Sequence, residues 1–123
     1  MRADVAGAAY RGRMHLTPAM ITIDCADARE LAQWWATALD TEIAQDFGDF
    51  LVVGAKPIVL GFQQVPEPRV AKNRVHVDFT TEDRTAAVER LVGLGATVVD
   101  DHSAPGMAWT TMRDPAGNEF CVA

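Results

Sequence analysis

Residues 20–25, MITIDC, alternate apolar and polar positions, the period of a strand with one covered face. Ala26-Asp27 follows, and then ARELAQWWATAL, where Leu31, Trp34, Trp35, Ala38 and Leu39 recur at helical spacing. Residues 75–80, VHVDFT, repeat the alternation. Glu82-Asp83 and RTAAVERLVGLG follow them, with Ala87, Val88, Leu91 and Leu94 on one helical stripe. Asp27 and Asp83 stand where a helix N-cap is wanted, and Gly95 stands just past the second helix. Short β-like runs follow each helix, at 41–44, 49–54 and 57–65 and again at 97–100, 107–113 and 119–122. Each half therefore reads βαβββ, one unit written twice.

The segment 65–74, VPEPRVAKNR, carries two prolines and reads as an extended connection. The predicted organisation is an arm at 1–18, a first module at 19–66, a linker at 67–74 and a second module at 75–123. Neither module is large enough to bury both faces of its sheet, so 19–123 forms one structural domain or pairs with a second copy. Strand parity sorts the side chains: Ile21, Ile23 and Cys25 oppose Met20, Thr22 and Asp24. In the second half Val75, Val77 and Phe79 oppose His76, Asp78 and Thr80, and Phe120 and Val122 oppose Glu119 and Cys121. The apolar sets go under the helices, at about 2 kcal/mol per large side chain. The polar sets converge in a cleft if the sheets curl, with Met20, Phe62, Trp109 and Met112 as apolar walls. The predicted fold is α+β: two βαβββ modules forming a curved mixed sheet around a cleft.

Composition narrows the function classes. Hydrophobic residues at 49% and charged ones at 23% suit an ordinary globular chain. A formal charge of −6 with eleven scattered Lys and Arg excludes a nucleic-acid binder, which needs a clustered basic surface. No stretch approaches the roughly 20 apolar residues of a membrane span, and the opening residues lack a signal-peptide core. Two cysteines make no disulfide framework, so a cytoplasmic location is expected. His76 is the first catalytic candidate, because imidazole moves protons at neutral pH and Asp78, two residues on, faces the same way and can orient it. Cys121 stands on the polar parity of its strand; as a nucleophile it would need a neighbouring base, and apolar surroundings would oppose it. Of Trp34 and Trp35, one should face the sheet and the other the module interface. Trp109 is the expected aromatic wall, and 100–107, DDHSAPGM, the expected mobile flap, with His15 and His102 as bystanders.

The doubled strand-Asp-helix openings at 20–39 and 75–94, the Lys72-Asn73-Arg74-Val75-His76 run and the closing Asp114-Pro115-Ala116-Gly117-Asn118 resemble the vicinal oxygen chelate superfamily, with its glyoxalases, bleomycin-resistance proteins and extradiol dioxygenases. The resemblance spans about residues 19–123. It implies that a metal, where one is used, takes ligands from the first and last strand of each module. Those positions fall on Met20, near Phe62 or Gln63, on His76, and on Cys121 where the family places a glutamate. Only His76 is retained, so the resemblance points to a glyoxalase-like branch lacking most metal ligands: no metal and no cofactor, with a divalent ion at His76 and Glu119 or Cys121 as the alternative. The expected function is binding of a small organic molecule by a homodimer. It would act as a metal-independent lyase or isomerase, with His76 and Asp78 catalytic and with Met20, Thr22, Asp24, Phe62, Trp109, Glu119 and Cys121 lining the site. The alternative is a non-catalytic protein that sequesters an antibiotic, as bleomycin-resistance proteins do.

Overall fold

The structure is a computed structural model, and it describes residues 18–71, 73 and 75–123. The expected arm, His15 included, lies outside the described residues but for Pro18. The first module runs β1 (Met20–Cys25), α1 (Ala28–Ala38), β2 (Ile43–Asp46), β3 (Phe50–Val53) and β4 (Val59–Gln64). The second runs β5 (Asp78–Phe79), α2 (Arg84–Gly93), β6 (Thr97–Ala104), β7 (Met107–Arg113) and β8 (Glu119–Val122). Each module makes an open four-stranded sheet, in the orders β1-β4-β3-β2 and β5-β8-β7-β6, and in each the first strand runs parallel to the last.

Both helices start at the expected caps. The Asp27 carboxylate accepts the Glu30 N–H at 3.0 Å, and the Asp83 carboxylate accepts that of Ala86 at 3.0 Å. At the other end of α1, Arg90 of α2 donates to the carbonyls of Ala38 (2.6 Å) and Thr37 (2.8 Å), so one module caps the helix of the other.

Three boundaries differ from the sequence reading. β2 begins two residues later than the run at 41–44 because Thr41 is spent on the α1 exit, its N–H bonded to Ala36 and its hydroxyl to Gly54. β6 continues through the supposed flap to Ala104, pairing Asp100 with Thr111 and Ala104 with Met107, and Pro105-Gly106 is only the turn, with Gly106 at φ +79°. β5 is two residues long instead of six. Upstream of it the ladder is continued by a side chain: the Asn73 amide accepts the Glu119 N–H at 2.9 Å and donates to Glu119 O at 3.2 Å and also to Val75 O.

One hydrophobic core joins the modules. Leu31, Ala32, Leu51, Val53, Leu60 and Phe62 pack between α1 and the first sheet, and Met112, Phe120 and Val122 continue the same cluster under the second. Neither tryptophan faces only its own sheet. Trp35 stacks on Phe79 (5.5 Å) and meets Phe120 edge-on (4.9 Å), and Trp34 donates to Leu94 O at 2.8 Å. The Trp35 indole N–H donates to the Asp114 carboxylate at 2.9 Å. The same buried carboxylate accepts the Ala116 and Asn118 backbone N–H groups and the Asn118 amide, which folds the 114–118 turn around it.

Trp35→Phe keeps an aromatic ring but loses the N–H donor and part of the buried ring volume, and is expected to cost about 2–4 kcal/mol; Asp114→Ala removes the acceptor of the buried Trp35 N–H and of three part-buried donors and should cost about 3 kcal/mol or more. Urea denaturation of the two variants beside the parent measures both, and equal stabilities for all three would remove this contact from the account.

Candidate functional site

Each sheet has one face in the common core and one face turned away from it. On the second sheet, strand register aligns Asp78, Cys121, Thr111 and Asp100 in one row across four strands. Arg113 and Glu119 form the row on one side, paired at 3.1 Å, so Glu119 is an engaged carboxylate and not merely a solvated rim residue. Trp109 and His102 form the row on the other side, their rings stacked at 5.2 Å. His102, expected as a bystander, thus lies on this face beside Trp109.

His76 lies just ahead of β5, in the stretch whose ladder the Asn73 amide continues. Its Nε2 is 3.2 Å from Asp78 Oδ1, with the side chains 49% and 72% exposed. The Cys121 sulfur lies 3.5 Å from the Thr111 hydroxyl. One ligand-type atom from each of His76, Asp78 and Cys121 comes within 4.8 Å of the other two, the one such group of three found among the described residues.

The equivalent face of the first sheet carries different chemistry. Thr22 pairs with Gly61 as Asp78 pairs with Cys121, so the first-module counterparts of His76 and Cys121 are Met20 and Gly61. This corrects the expected counterpart at Phe62 or Gln63. Phe62 has the opposite parity: it pairs with Ile23 and Leu51, is fully buried in the core, and therefore cannot wall a ligand. A Cβ built on Gly61 would stand 2.7 Å from the Met20 sulfur and 3.0 Å from Phe50, so the missing side chain is what lets a thioether and a ring lie across the strand. A glycine inside a strand was the signal in the sequence that could have located this position. The ligand set that the resemblance implies does not fit here, because its first-module half offers a thioether and no side chain at all. The second-module trio, an imidazole, a carboxylate and a thiol, would suit zinc better than a hard cation.

A cavity of ≈ 1960 Å³ opens between β1 and β5. Met20, Thr22 and Asp24 line it from the first module and His76 and Glu119 from the second, with Trp34 between them in sequence. Asp78, Cys121 and Trp109 lie on the second sheet's outer face and are not among its lining residues.

Both cysteines are buried, but on opposite parities of their sheets and among different neighbours. Cys25 is on the core parity, donates weakly to Gln63 O at 3.6 Å, and its thiol is pushed up to about 11 by burial first and then by Asp114, Asp24 and Asp27. Cys121 is buried as well, but on the other parity, with ligand-type atoms of His76 and Asp78 within 4.8 Å of its sulfur.

Two open βαβββ sheets joined through their helices define a two-module protein of the vicinal oxygen chelate class. The family model described as "Glyoxalase-like domain" matches residues 20–123, and the chain belongs to that family. Among solved structures it is similar to a glyoxalase-related enzyme from Fulvimarina pelagi (16% identity, 89% of this chain and 88% of that one, TM-score 0.72). It is also similar to the bleomycin-binding protein of bleomycin-producing Streptomyces verticillus, solved with copper(II)-bleomycin (19%, 89% and 97%, 0.68). A third is the lactoylglutathione lyase of Agrobacterium tumefaciens (18%, 89% and 93%, 0.68). No curated protein matches the chain. No helix among the described residues is long and apolar enough to cross a membrane.

Because the Cys25 thiol rises from 9.0 to about 11 on folding, its contribution to stability is complete below pH 9 and is lost as pH climbs toward 11. The melting temperature should fall across that window, and Cys25→Ala should flatten the fall; an unchanged slope in the variant would assign the loss to other groups.

Proposed function

We propose that the protein binds a small planar organic molecule against these outer sheet faces and moves a proton on it, with His76 as general acid/base and Asp78 orienting the imidazole. The reaction class is that of a lyase or isomerase, and no resident metal is required. The observation that carries the reading is the 3.2 Å His76–Asp78 pair on a face bordered by Trp109 and Thr111. Metal independence is supported by Met20 and Gly61, which supply no hard donor where the resemblance asks for two.

The working unit in this reading is a homodimer. The His76–Asp78 pair is far too exposed for chemistry that excludes water. A second copy laid over these faces would cover it.

A second reading, sequestration without turnover, is favoured by the Met20–Phe50 wall over Gly61. That surface offers contact area and no reactive group. Quenching of tryptophan fluorescence across a panel of aromatic natural products finds the compounds that bind, and chromatography finds those consumed. For a consumed compound, His76→Ala should abolish turnover and change affinity less than about threefold, while Asp78→Asn lowers turnover by about 100-fold. Binding with no consumption of any bound compound establishes sequestration instead, and stoichiometric metal in the purified protein overturns the metal-free part. Sedimentation should give twice the chain mass, and a monomer would refute the dimeric site.

A further inference from the structure

We infer that Cys121 is a nucleophilic thiol that forms covalent adducts with planar α,β-unsaturated carbonyl compounds, using His76 as its base. The inference extends the proposed role of the His76–Asp78 pair and rests on it only for the identity of the base. The sequence supplied a thiol with no visible base; the fold supplies one. A His76 ring nitrogen, an Asp78 oxygen and the Cys121 sulfur lie within 4.8 Å of one another, a span closed by one rotamer change or one bridging water. Asp78 stands to the imidazole as an orienting carboxylate at 3.2 Å, and the Thr111 hydroxyl lies 3.5 Å from the sulfur.

The electrophile class follows from the surroundings. Sulfur is a soft, polarizable nucleophile and prefers a conjugated carbon to a hard acyl centre. The next row of the sheet beyond Cys121 and Thr111 is the Trp109–His102 pair, an aromatic surface about 7 Å along the strand, against which a flat conjugated guest can lie. In the addition the thiol proton passes to His76, the sulfur electron pair forms the C–S bond at the β-carbon, and the alkene π pair moves onto the carbonyl as an enolate. The imidazolium then returns the proton to the α-carbon. The net change is addition of S–H across C=C, with nothing oxidised or reduced by an outside reagent.

Cys25 is the built-in comparison: both thiols are buried, but Cys25 packs in the shared core on the opposite parity, away from the His76–Asp78 pair. The test treats the full-length protein with N-ethylmaleimide, itself a small planar α,β-unsaturated dicarbonyl, and follows each cysteine by peptide mass spectrometry. Cys121 should be modified at least about 10-fold faster than Cys25 and about 10-fold faster than in His76→Ala or His76→Gln, and free imidazole should restore part of the rate in His76→Ala. The use of two His76 variants guards against one that fails to fold, and a Cys25→Ala protein gives the Cys121 rate alone. Modification of Cys25 first, or a Cys121 rate indifferent to His76 in both variants, overturns the inference. An indifferent rate combined with turnover lost in His76→Ala sinks the thiol and leaves the proton-transfer reading standing. The reverse pattern sinks that reading and leaves the thiol.

Discussion

The bond from the Trp35 indole to the Asp114 carboxylate is the contact on which the architecture turns. Trp35 belongs to the first module's helix and Asp114 to the second module's last turn, so one buried polar contact fixes how two copies of the same unit sit together. Asp114 also accepts the donors that shape its own turn. The turn that launches β8, and with it Cys121 and Glu119, is thus tied through one carboxylate to the other half of the chain. Around this bond the Trp35–Phe79–Phe120 ring cluster and the Arg90 cap on α1 make the module interface part of the core. Both outer sheet faces lie away from this interface.

The two modules share a fold and differ in the side chains of their outer faces. The two outer faces share geometry: Met20 answers to His76, Thr22 to Asp78, Gly61 to Cys121. Yet one is a thioether lying over a glycine and the other a cluster of imidazole, carboxylate and thiol. A guest reaching both would meet polarizable apolar surface on one side and proton-transfer groups on the other. Fold membership in the glyoxalase-like family sets the positions, and the side chains at those positions set the chemistry.

How much of this was legible in the sequence depended on how local the signal was. Alternation over MITIDC and the helical stripes around Trp35 and Leu91 gave the doubled βαβββ plan, because periodicity is a property of neighbouring residues. Asp27 and Asp83 declared their helix starts for the same reason. Phe62 was misplaced because parity in β4 could be set only by its pairing with β1, 39 residues earlier, and a one-residue slip exchanges the faces. His102 was missed because the 100–107 segment reads as turn-rich until Asp100 finds Thr111 across the hairpin. Asn73 was hidden more deeply still, since no local pattern announces that a side-chain amide will continue a strand ladder.

The two-residue Pro105-Gly106 reversal has a consequence for the Trp109–His102 pair it carries. A hairpin with no slack in its tip keeps the two rings in ladder register up to the reversal, so a residue inserted at the tip would shift His102 out of line with Trp109 and undo the stack.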